Sequence, residues 1–327
     1  MRDAYNAALV DGRAAGPQWS GDPDRCAAGS EAEASRGATV EAINFIRAMN
    51  HLAPVGLDAA AGDRARAAAL IMRANNGLSH TPPRTWRCWS DAGASAAANG
   101  NLSLGPRNGV DHILAYLRDP GPGNGAVGHR RWLLYPPLAG VGTATTDTTN
   151  VLVVVGPALQ ARPAVPVVSW PPAGQVPWPL VFERFSISSP EHPQADFSRA
   201  ELSVSANGVA LPVTPEPVVD GYGDNTLVAR VAIPDDLRAA GADTAFEVTA
   251  RNVVARVDGV GGGNGATSLT FTVRFTAFTD TSTWDPASAA DAGSAEGTVE
   301  PAAPLAGGGG PGRIAGSAAP SGTRSPA

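Results

Sequence analysis

Residues 128–155 read GHRRWLLYPPLAGVGTATTDTTNVLVVV. A Gly-His pair leads into a short apolar run and a Pro-Pro break. Two strand-like stretches follow, Val141–Thr146 and Val151–Val155, joined by a Thr/Asp/Asn turn. A hairpin of this size needs other elements against its apolar face, and the residues upstream supply helices. Thr39 reads as the N-cap of a helix whose Val40, Ile43, Phe45, Ile46 and Met49 form an apolar stripe, ended by Ala53-Pro54. Asp58 caps a second, Ala-rich helix that stops at Asn75-Asn76-Gly77. A short helix spans Ser90–Ala98. Asn108 caps a fourth, with Asp111 in its first turn and a break at Pro120. Four helices and a hairpin predict an α+β fold, helices packed on a small sheet. His112, Tyr116 and Asp119 share one face of the fourth helix, which reads as solvated.

Downstream of about Ala161 the texture changes. Short β-rich runs recur at Val165–Trp170, Leu180–Ser188, Ala200–Ser205, Val209–Val213, Thr226–Ile233, Ala245–Ala255 and Ser268–Phe278. Asn207-Gly208 is a two-residue hairpin signal. These runs predict an immunoglobulin-like β-sandwich. From about Asp280 the chain is Ala, Gly, Ser, Pro and Thr, a composition that reads as a disordered tail. The expected organisation is an irregular segment over residues 1–37, a helix-and-sheet domain over 38–160, the β-sandwich over 161–279 and the tail over 280–327.

Composition narrows the chemistry. All 24 basic residues are arginine, which excludes a Schiff-base lysine, a P-loop lysine and a Ser–Lys dyad. A formal charge of −6 and no basic stripe argue against nucleic acid. No apolar run is long enough for a transmembrane segment. The two cysteines, Cys26 and Cys88, fit one structural disulfide in an exported protein, with two unrelated thiols as the alternative. Met1–Gly16 lacks the charged-then-apolar pattern of an export signal. Either the signal lies outside this sequence or the protein is cytoplasmic; the expectation is the first, an extracellular or cell-surface protein.

Four features, in order, carry a resemblance. Asn44 and Arg47 stand in the first helix. Leu78-Ser79-His80 follows the second. Asn99-Gly100-Asn101-Leu102 follows the third. Gly128-His129 with Trp132 precedes Val141-Gly142-Thr143. This set resembles the CAP superfamily of cysteine-rich secretory, antigen-five and pathogenesis-related-one proteins (the SCP-like domain), in a bacterial type with an appended β-sandwich. The resemblance implies a three-layer α-β-α sandwich with a central cleft, lined by two histidines and two glutamates. Carried over, the histidines are His80 and His129. Gly100 stands where the first acid belongs, with Asn101 beside it, and Asp119 is the one candidate for the second. Two histidines, with Asp119 as the one candidate third ligand, imply at most a weakly held divalent metal such as zinc.

The resemblance therefore implies a secreted, non-enzymatic protein. It would bind a small ligand, lipid or cell-surface component through a cleft that includes His80, His129, Asn101 and Asp119. Two alternatives stand beside it: a metal-dependent hydrolase using His80 and His129, and a structural cell-surface protein acting through the β-sandwich. Blander readings also stand. His80 and His129 also read, as the lesser alternative, as buried hydrogen-bonding groups that stabilise the cleft. Trp86 and Trp89 read as loop core beside the disulfide or as a binding platform. Arg130 and Arg131 read as an anion site or as partners of local acids. Ser79 and Ser103 lack the setting of a nucleophile. Asp220, Asp224, Asp235 and Asp236 read as loop acids without EF-hand spacing, and His51 and His192 as surface residues.

Overall fold

The computed structural model describes residues 1–105, 107–240, 242–258, 264–278 and 295–301. Segment 1–37 is more ordered than its composition predicts. Helix α1 (Arg2–Tyr5) runs into a π turn over Asn6–Val10 and a 3-10 turn over Asp11–Ala14. Leu9 is buried and Tyr5 meets Phe45 edge-on at 6.1 Å, so a few apolar side chains suffice to dock the segment.

Helix α2 (Glu33–Ala48) starts earlier than expected. Thr39 does not cap it; the side chain is buried inside the helix and its hydroxyl donates to the Ser35 carbonyl at 2.9 Å. The entry is held by buried Glu31, which accepts from Ser35 Oγ at 2.6 Å and from the Thr145 amide at 2.9 Å. Near the other end, Asn44 makes a two-way bond with the backbone of Val55. Arg47 is fully buried. Its guanidinium donates to the carbonyls of Ala53, Leu133, Tyr135, Pro136 and Leu138 at 2.8–3.3 Å. A guanidinium has five N–H groups in a fixed fork, and here five carbonyls from two loops meet it. Burial lowers its pKa to about 10, still well above neutrality.

Strand β1 (Gly56–Leu57) leads into α3 (Ala59–Asn75), α4 (Asp91–Ala98) and β2 (Gly100–Leu104). Then come α5 (Gly109–Arg118), α6 (Gly128–Leu133), β3 (Gly140–Thr145) and β4 (Thr149–Val153). Asp58 on α3 and Asn108 on α5 are the caps the sequence places, and Ser90, expected as the first helical residue, is the N-cap of α4. Asn76 ends α3 in the left-handed region at φ 44°. The sheet order is β1-β3-β4-β2, with β1 parallel to β3 and the other pairs antiparallel.

Alternation on the strands sends Val151 and Val153 to one face, against Ala65, Ala68 and Ala69 of α3 and Ala96 and Ala97 of α4. Leu152 and Val154 face the other way, toward Ile43, Ile46 and Ile113 of α2 and α5. Helices thus cover both faces. The alanine face of α3 lets it lie very close to β3. A Cβ on Gly142 would fall 2.2 Å from the Ala61 carbonyl carbon, so only glycine fits there. Cys26 and Cys88 form a disulfide with Cα atoms 5.0 Å apart, tying the N-terminal segment to the loop before α4 across 62 residues.

The second half is strand-rich, as expected. One sheet is β10 (Val213–Pro215), β11 (Thr226–Val231), β7 (Arg184–Ser188) and β5 (Val168–Trp170). The other contains β8 (Glu201–Ala206), β9 (Val209–Leu211), β12 (Thr244–Asp258) and β13 (Asn264–Phe278). Asn207-Gly208 turns β8 into β9 with both φ angles positive, 49° and 80°. Phe185 of the first sheet contacts Phe246 and Phe275 of the second at 6.5 and 6.0 Å. Strand β6 (Gly174–Pro177) was not anticipated and pairs parallel with the end of β13. The expected disordered tail departs from expectation over β14 (Ala295–Pro301), which pairs antiparallel with Thr267–Val273. The unpaired edge of β13 offers the backbone groups for that pairing. The rest of the tail lies outside the described residues.

The two halves share one apolar core. Its buried cluster runs from Ile43 and Ile46 through Leu138 and Val154 to Val167, Trp170 and Phe185. If the five carbonyls around Arg47 hold the α2 end together, Arg47→Met should lower the free energy of unfolding by at least about 3 kcal/mol, the scale of several buried carbonyls left unpaired. Urea unfolding checks this; a loss below about 1 kcal/mol would contradict it.

Candidate functional site

Helix α5 ends at Arg118, and Asp119 follows in the left-handed conformation at φ 52°. Its side chain is buried, 1% exposed, yet its carboxylate is fully engaged. Oδ1 accepts from His129 Nδ1 at 2.8 Å, and Oδ2 accepts from the His129 backbone amide at 2.9 Å. His129 opens α6, whose N-cap residue Val127 is also left-handed and carries no side-chain cap. The Asp119 carboxylate therefore satisfies a donor that the helix start leaves free. Tyr116 stacks on the imidazole, ring centroids 5.5 Å apart and planes at 22°. Its hydroxyl lies within 2.9–3.1 Å of the Asn101 carbonyl, the Asn150 carbonyl and Asn150 Oδ1. Burial holds the Tyr116 phenol well above its ordinary pKa, so it stays a neutral donor.

On β2, Asn101 donates through Nδ2 to the His129 carbonyl at 3.1 Å. His80, exposed on the loop after α3, sets Nδ1 against the Ala97 carbonyl of α4 at 2.8 Å. Both rings thus spend Nδ1–H on an acceptor, which leaves Nε2 as the lone-pair nitrogen of the neutral ring. His80, Asn101 and His129 line one cleft of about 680 Å³, with Asn99, Asn124, Trp132 and Tyr222 among its other walls. Asp119 lies behind His129 and is not a wall.

Gly100 also lines this cleft, and its position explains the missing acid. A Cβ there would fall 2.8 Å from the Leu152 carbonyl oxygen and 3.0 Å from that of Ala96. Backbone has closed on the place where a carboxylate-bearing side chain would start. Among the described residues, no group of three or more His, Cys, Asp or Glu could hold a metal ion. Zinc sites take three or four protein ligands, so two imidazole Nε2 atoms do not fit a tightly held ion.

The remaining sequence readings sort out physically. The His112–Tyr116–Asp119 face is not solvated; all three residues are buried. His112 Nδ1 lies 2.8 Å from Ser103 Oγ, a pair sealed inside the fold. Among the described residues, Arg130 and Arg131 make no close ion pair with an acid. Both are buried and bond mainly to carbonyls: Arg130 to Leu117, Arg118 and Arg184, Arg131 to Val219 and Asp224. Trp86 packs on the alanine core of α3 and α4, and the Trp89 indole N–H donates to the Pro82 carbonyl at 3.0 Å. Ser79 Oγ accepts from the Thr81 amide. Asp224 pairs with Arg162 at 2.7 Å. Tyr222 was missed as a wall residue. Its one sequence signal is the flanking Gly221 and Gly223, both with positive φ, which free the loop to turn the ring inward.

Residues 40–156 match the model of the Cysteine-rich secretory protein family, CAP. That stretch of the chain is a CAP domain. No curated protein and no solved structure matches the chain significantly.

Burial, then the nearby Arg107 charge, lowers the His112 pKa to about 4, while Asp111 opposes the shift. An ordinary imidazole titrates near 6.5, so the unfolded chain takes up this proton first as pH falls. Stability from His112 is complete above about pH 6.5 and is lost as pH drops through about 4. Chemical unfolding over that window should show a fall of up to about 3 kcal/mol. In His112→Gln that slope should flatten; an unchanged slope would place the titration elsewhere.

Proposed function

We propose that this chain is an exported CAP-domain protein that binds a ligand in the cleft between His80 and His129 and catalyses no reaction on it. The observation that carries this reading is Gly100. Backbone fills the place of the first acid, and the second, Asp119, has both oxygens committed to His129. A hydrolase needs a base, a nucleophile or metal-bound water, and groups that stabilise developing charge. The cleft offers two imidazoles, amides and aromatic rings. Such walls orient a ligand without attacking it. Export is supported by the Cys26–Cys88 disulfide, a bond that persists in oxidising compartments. We read residues 161–279 as an immunoglobulin-like β-sandwich. The contacts of Phe185 with Phe246 and Phe275 across the two sheets support this.

One observation favours a hydrolase as a second reading: the Asp119–His129 pair has the form of an oriented general base. The two readings separate in one pair of assays. Calorimetric titration with zinc should give affinity weaker than micromolar, and a panel of peptide and ester substrates should give no turnover. Turnover that is lost in His129→Ala would overturn the binding reading. Tight zinc binding lost in a His80→Ala/His129→Ala variant would restore metal chemistry to the site.

A further inference from the structure

We infer that the ligand is an uncharged, hydroxyl-rich chain, a neutral oligosaccharide, and that the region after the CAP domain supplies its recognition wall through Tyr222. This rests on the cleft-binding reading above and adds the ligand class. The walls are acceptor-rich. His80 and His129 each spend Nδ1–H on a protein acceptor, so the neutral rings offer Nε2. Asn99, Asn101 and Asn124 each donate through Nδ2 to a backbone carbonyl, those of Ser95, His129 and Pro120. No described residue donates to their Oδ1 atoms. A ligand that complements such walls brings donors.

It does not bring net charge. No carboxylate or guanidinium is among the described residues that line the cleft. An anion would find no positive partner, and a buried charge without a partner is costly. A cation would find no carboxylate there, and the Tyr222 ring already faces the Arg131 guanidinium, 5.4 Å from its centre. Hydroxyl groups on sugar rings supply such uncharged donors at high density on a carbon skeleton, and amide N–H groups of a peptide are the rival source that the test separates. The apolar C–H faces of sugars pack on aromatic rings while their edges hydrogen-bond, and the cleft carries both kinds of partner.

Tyr222 is held in place for this. Arg131 donates to the Val219 and Asp224 carbonyls at 2.6 and 2.9 Å, clamping both ends of the loop that carries the ring. A Cβ on Gly128 would lie 2.7 Å from that ring, so glycine before His129 leaves the room the tyrosine occupies. Tyr222 as a residue nevertheless stays 38% exposed and lines the cleft, which leaves it open to ligand.

The test is calorimetric titration of the full chain with short cello-, malto- and N-acetylated chito-oligosaccharides, with palmitate and an uncharged peptide as comparison probes. The expected result is binding of at least one oligosaccharide, weakened at least about tenfold in Tyr222→Ala and retained in Tyr222→Phe, which keeps the ring. Oligosaccharide binding indifferent to Tyr222→Ala would overturn the role of that wall. Binding of palmitate or peptide alone, lost in His129→Ala, would overturn the ligand class and leave the cleft-binding reading standing. Loss of binding for every probe in the unmodified protein would count against both.

Discussion

The buried guanidinium of Arg130 is the interaction on which the site depends. It donates to the Leu117 and Arg118 carbonyls at the end of α5, and to the Arg184 carbonyl and Ser186 Oγ on β7. Arg184, itself buried, returns the contact by donating to the Asp119 and Gly121 carbonyls at 2.8 Å. The turn that carries Asp119 is therefore gripped from both sides, by its own domain and by the strands that follow. Burial lowers the Arg130 pKa to about 9, against which the nearby Asp119 charge works, so the group remains a cation and a full donor set at neutral pH. Removing such a group would leave several buried carbonyls unpaired at once.

Site geometry descends from that grip. Asp119 orients His129 through two hydrogen bonds, Tyr116 stacks on the same ring, and Asn101 fixes the backbone beyond it. Arg131, two residues past His129, sets the loop of Tyr222 over the cleft. The strands after the CAP domain are thus part of the cleft's construction.

Much of the helix-and-sheet layer is legible in the sequence because its signals are local. Asp58, Ser90 and Asn108 cap helices through bonds to residues three positions on, and Asn76 stops one by its backbone conformation. The ordered motifs located both histidines, and Asp119 was the acid within reach of one of them. What escaped notice depends on partners far along the chain. Thr39 looks like a cap until Glu31 meets Thr145, 114 residues away. The His112–Tyr116–Asp119 face looks solvated until β2 and β4 cover it. Arg130 and Arg131 look like anion ligands because a carbonyl acceptor leaves no mark in a sequence. Tyr222, 93 positions past His129, carries only its flanking glycines as a local signal, and they mark a turn rather than a cleft.

The central claim is that the CAP domain and the strands behind it form one cooperative unit built around Arg130 and Arg184. Differential scanning calorimetry of the full chain tests it most directly. The account predicts a single transition whose calorimetric and van't Hoff enthalpies agree. Two resolved transitions, with one half melting while the other stays folded, would contradict it.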